Sequence, residues 1–137
     1  MTLKELSQLY WLNREIEADQ RRLDELSRLA EAPSTPALTG MPHAPHSNAS
    51  KVERMAAEIV DLQAVIAAKQ IQCIHERARL ERWISDIPDS LTRQIFTLRF
   101  VNGLSWPQVA YSIGGGNTAE GVRKRCNRYL RRQGNTL

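Results

Sequence analysis

Leu98-Arg99-Phe100-Val101-Asn102-Gly103-Leu104-Ser105-Trp106-Pro107-Gln108-Val109-Ala110, a glycine-rich stretch, and then Val122-Arg123-Lys124-Arg125-Cys126-Asn127-Arg128-Tyr129-Leu130-Arg131-Arg132 decide the fold. The order reads as helix, stop, capped short helix, tight turn and basic helix. Asn102-Gly103 supplies residues that tolerate left-handed backbone and so end a helix. Ser105 is the expected cap of the next, with Gln108 at the capping-box position and Pro107 inside the first turn. Gly114-Gly115-Gly116-Asn117 suits a turn needing positive φ. Asn117 or Thr118 is expected to cap the last helix.

In that last helix Val122, Cys126, Tyr129 and Leu130 recur at helical spacing and mark a buried side. Thr118 at its start and Glu120, Arg123, Lys124, Asn127, Arg128 and Arg131 on its open side are the expected DNA-binding residues. Arginine can bond both acceptors of a guanine edge, and asparagine the adenine edge, so Arg123 and Asn127 are the expected readers. Lys124, Arg128, Arg131 and Arg132 are expected to meet phosphates. Short paired helices of this kind grip duplex DNA. Trp106, Val109, Ala110 and Ile113 are expected to face inward, as are Leu91, Ile95, Phe96 and Leu98 on the helix before. Ile87-Pro88 breaks the preceding long helix, with Pro88 expected in the first turn of the next and Asp89 complementing its dipole.

Charge separates along the 137 residues. Residues 1–87 carry 11 Lys/Arg against 13 Asp/Glu, and residues 88–137 carry 8 against 2, within a net charge of +4. A polyanionic partner is therefore expected for the C-terminal part alone.

Upstream, residues 2–31 show Leu9, Leu12, Ile16, Leu23 and Leu26 at coiled-coil spacing, interrupted by Asp19. Thr2 and Glu5 form a capping-box pair. Residues 32–50 hold four prolines and a glycine, which forbid a continuous helix and predict a long loop. Ser50, with Glu53, is expected to cap a second helix. Val52, Met55, Ile59, Leu62, Ile66, Cys73, Leu80 and Trp83 carry its stripe, interrupted by Lys69 and Glu76. Ala56, Val60, Ala67 and Ile74 widen that stripe, which suits a bundle. The expected fold is all-α: a long antiparallel, coiled-coil-like hairpin over 1–87, closed by the loop at 32–50, then a DNA-binding domain over 88–137. A lone hairpin leaves apolar surface wet, so two copies are expected to pair through residues 1–87 as a homodimer.

The residues 98–110 resemble the helix-turn-helix signature of sigma-70 region 4 domains, and Val122-Arg123-Lys124-Arg125 is similar to their recognition helix. The layout, with Thr39-Gly40-Met41-Pro42 between two charged helices, resembles small phage- and prophage-encoded sigma-like regulators. The resemblance implies a transcriptional regulator binding a promoter or operator, and a contact with RNA polymerase. No region 2 is visible, so promoter melting is not expected.

Two other readings stay open: a phage DNA-packaging or assembly protein of the small-terminase kind, and a polymerase-binding module without DNA specificity. No P-loop, catalytic Cys/His/Asp set or metal spacing is present, so no enzyme, cofactor or metal is expected. His43 and His46 read as ordinary loop residues. Cys73 and Cys126 are expected as reduced packing residues. No apolar run approaches the roughly 18 residues that cross a bilayer, and no signal-peptide core is present, so a cytoplasmic protein is expected.

Overall fold

Thr2 starts the first helix as its spacing to Glu5 predicts. The Glu5 N–H donates to Thr2 Oγ1 at 3.2 Å, and the Thr2 N–H donates to the Glu5 carboxylate at 2.7 Å. The computed structural model describes residues 1–32 and 45–134, with the backbone alone for 45–49. Its elements are α1 (Leu3–Leu6), α2 (Gln8–Glu31), α3 (Pro45–Ser85), α4 (Ser90–Phe96), a π-helical turn (Thr97–Val101), α5 (Trp106–Ile113) and α6 (Ala119–Arg132). Among the described residues there is no strand, and no helix is long and apolar enough to cross a membrane.

Several local expectations shift. The helix expected over 2–31 is divided at Ser7, whose hydroxyl donates back to the Leu3 carbonyl at 2.9 Å. Ser50 does not cap α3, because the helix starts at Pro45. Proline at a first helical position loses no intrahelical bond. The loop expected over 32–50 therefore meets helix from 45 onward, and its residues 33–44 lie outside the described residues. Pro88 precedes α4 instead of joining its first turn. Asp89 is the cap, accepting from the Thr92 N–H at 3.0 Å and the Thr92 hydroxyl at 2.6 Å. The Asp89 carboxylate takes up the otherwise free Thr92 amide, which sets the start of the helix at Ser90.

The chain forms two compact units, one of Met1–Arg14 with Ile71–Leu137 and one of Glu15–Gln70. This division differs from a boundary at residue 87, because Leu6, Leu9, Leu80 and Ile84 share a core with Ile95, Phe96, Val109, Val122 and Leu130. Phe96 lies among three rings, 5.4 Å from Trp83, 5.4 Å from Phe100 and 5.6 Å from Tyr129. In the same unit Glu5 accepts from Arg79 at 3.0 Å. The thiol of Cys73 donates to Asn13 at 3.4 Å.

The unit of residues 15–70 holds much less apolar burial. Leu26 and Ile66 are its buried hydrophobic residues among those described, with Ile16, Leu23, Ile59 and Leu62 half-buried beside them. The charges that interrupt the two apolar stripes find each other. Lys69 lies 2.5 Å from Asp19 and 3.6 Å from Glu15, and Arg22 reaches Glu58 at 3.4 Å. Asp19 holds the Lys69 ammonium above its ordinary pKa. Moving forward along α2, the partners on α3 fall earlier in sequence.

Candidate nucleic-acid interface

Three elements position the basic residues. Ser105 caps α5 as expected, and its N–H donates to the Gln108 side chain at 2.9 Å. Val109 and Ala110 are buried beneath α6, whereas Trp106 is half-buried with the Arg99 guanidinium 4.6 Å from its ring centre. Trp106 packs against the core as expected and keeps part of its ring for the cation–π contact with Arg99. Arg99 also donates to the Leu104 carbonyl at 2.9 Å, tying the α4–α5 connection together.

Gly114, Gly115 and Gly116 all have positive φ, at 69°, 63° and 79°, so the turn between α5 and α6 uses all three glycines as such. The Asn117 side chain donates to the Gly114 carbonyl at 2.7 Å and closes the turn. That frees Thr118 to cap α6, accepting from the Gly121 N–H at 3.0 Å. A Cβ on Gly121 would lie 3.0 Å from that hydroxyl, so the missing side chain makes room for the cap.

Helix α6 turns Val122, Cys126 and Leu130 into the core, with Tyr129 half-buried. Burial pushes the Cys126 thiol up to about 12, while nearby Arg99 pulls weakly the other way. On the outer side Arg123, Lys124, Asn127, Arg128 and Arg131 line one shallow depression. The structure therefore groups five of the seven expected DNA-binding residues. Thr118 and Glu120 stand apart from that depression: Thr118 is occupied as the cap, and Glu120 is paired.

Glu120 accepts from Arg123 Nε at 3.1 Å, binds a second Arg123 nitrogen, and lies 3.9 Å from Lys124. The Arg123 guanidinium holds the Glu120 carboxyl below its ordinary range, and Arg123 is raised in turn. Both are solvent-exposed enough that water weakens the pairing. Arg123 thus presents a guanidinium already oriented by a carboxylate. Arg128, Arg131 and Arg132 have no acidic partner among the described residues.

Arg125 plays a different part. It donates to Asp89 at 2.7 Å and to the Thr92 hydroxyl at 3.3 Å, fastening α6 to the capped start of α4. Thr92 and Arg125 hold the Asp89 carboxyl down to about 2. A second cleft, lined by Asp89, Arg125, Arg128, Tyr129 and Arg132, opens beside this strut. Its tie between residues 89 and 125 carries no local sequence signal beyond Asp89 being one of two acids after residue 87.

Among the described residues no three His, Cys, Asp or Glu side chains are placed to hold a metal. His43 lies outside the described residues, and the side chain of His46 is likewise outside them. Comparison with protein families, with curated proteins and with solved structures gives no match to this chain.

Proposed function

We propose that the chain is a sequence-specific DNA-binding transcriptional regulator whose residues 88–137 form a sigma region 4-like helix-turn-helix. In this reading α5 crosses the backbone and α6 enters the major groove. Arg123 and Asn127 read base edges, and Lys124, Arg128, Arg131 and Arg132 meet phosphates. The observation that carries the reading is the outer face of α6: five polar or cationic side chains share one depression, and the opposite face is buried. Such a rod, carrying guanidinium groups with no acidic partner among the described residues, has the charge that a line of phosphates attracts.

The same reading gives residues 1–87 to an antiparallel helical hairpin that joins two copies, as operator-binding proteins need when they read paired half-sites. It assigns no catalysis and places the protein in the cytoplasm beside its DNA. RNA polymerase is the proposed second partner. The open cleft lined by Ile84, Leu98, Ile113 and neighbouring polar residues would receive it. The layout is the kind found in small phage-encoded regulators.

Selection of bound duplexes from a random pool tests the proposal. A recurrent short motif, lost in Arg123→Ala at one base pair, is the expected result. Discrimination at that pair should fall by about 1–3 kcal/mol. Recovery of unrelated sequences with no motif would overturn it. A large ring of subunits would instead favour DNA packaging, and polymerase capture without a gel shift would favour a pure protein-binding module.

A further inference from the structure

Helix α3 carries a second apolar stripe, separate from the one turned toward α2. Ala57, Val60, Ala64, Ala67, Ile71 and Ile74 follow one another at steps of three, four, three, four and three residues, the spacing of a coiled-coil seam. All six are exposed, Val60 at 62%, Ile71 at 57% and Ile74 at 67%. The positions flanking them are Ala56, Asp61, Gln63, Ala68, Gln70 and His75, which include a single carboxylate and no lysine or arginine. On α2, Glu17, Arg21, Asp24 and Arg28 are exposed and charged, as a solvated face should be, and Trp11 and Leu29 are exposed on the same helix.

We infer that this stripe is a seam between two copies of the chain, with α3 packed antiparallel on α3 of the second copy. Self-complementarity of size sets the direction. Antiparallel pairing about the midpoint between residues 65 and 66 places Ala57 against the second copy's Ile74, Val60 against its Ile71, and Ala64 against its Ala67. Each large side chain then meets a small or medium one, as close packing requires. The two seam-flanking glutamines, Gln63 and Gln70, fall beside each other across the pair, where amides can bond. Parallel pairing stacks Ile on Ile at one end and Ala on Ala at the other, leaving the helices unevenly spaced. The assignment rests on the proposed self-association and is independent of DNA binding.

Disulfide trapping in the full chain tests it. Each single cysteine is placed in a Cys73→Ser background, while Cys126 is buried and stays unreactive. Ala64→Cys should link to itself on mild oxidation, its two copies lying about 4.5 Å apart along the axis. Ile74→Cys should not, because its copies lie about 25 Å apart along the axis. Mixed with Ala57→Cys, it should link to that variant. Ala64→Glu should convert the dimer expected of the parent chain at micromolar concentration to a monomer without changing its helix content. Self-linking of Ile74→Cys would overturn the antiparallel seam. A dimer that survives Ala64→Glu would overturn the seam while leaving self-association intact, and a monomeric parent chain would overturn both.

Discussion

The unit of residues 15–70 and the core around Phe96 bury their apolar residues in different ways. Around Phe96 four rings interlock and the helices close over them. In the other unit Leu26 and Ile66 are buried and the charges meet in pairs across the helices. Charge pairs on a half-wet surface select which residues face each other, but they stabilise little. Packed rings do the reverse. The difference teaches that one region is held by its core and the other is aligned by its charges, with apolar surface still uncovered.

The largest effect expected from this contrast is Phe96→Ala, which should cost about 3–5 kcal/mol and abolish the near-ultraviolet signal of the surrounding rings. Retention of a cooperative melt near that of the parent would break the comparison. Lys69→Ala should cost only about 1 kcal/mol, since the pair it leaves is partly hydrated. A double-mutant cycle with Asp19→Ala measures the coupling directly, and a loss as large as that of Phe96→Ala would show a true core there.

Chemistry should follow burial as well. Cys126, raised to about 12, should resist alkylation until the core opens, while half-exposed Cys73 reacts in the folded chain. Mass mapping of labelled peptides reads this. Labelling of both at the same rate would contradict the packing of α6.

The smallest effect belongs to the Asp89–Arg125 strut. The carboxyl is ordinarily near 3.8 and is held at about 2, so its contribution is complete above 3.8 and fades as pH falls through about 2. Asp89→Asn should therefore weaken the Phe96 core at neutral pH and flatten its acid response between those values. Denaturant melts at several pH values check this, and an unchanged profile would remove the strut from the account.

Local chemistry was legible in the sequence wherever partners lie within one helical turn. The capping pairs Thr2 with Glu5 and Ser105 with Gln108 are of this kind. So is the alternation of Val122, Cys126 and Leu130, which set the outer face of α6. Partners far apart in sequence were not legible. Asp19 and Lys69 each looked like a flaw in a stripe, and only their meeting explains both. Arg125 looked like one more cation in a basic run until Asp89 and Thr92 claimed it. The start of α3 at Pro45 was hidden because proline breaks a helix from within yet begins one without loss. The Glu120–Arg123 pair was open to reading at its three-residue spacing, since such neighbours share a helix face.

The central claim is that the outer face of α6 grips duplex DNA through its cations. A binding titration of a selected duplex across a salt series tests it most directly. If Lys124, Arg128, Arg131 and Arg132 meet phosphates, log K should fall linearly with log salt at a slope of about −3 to −4. In Arg128→Ala that slope should shrink by about 1. Affinity that does not change with salt, or a slope that Arg128→Ala leaves untouched, would contradict the account.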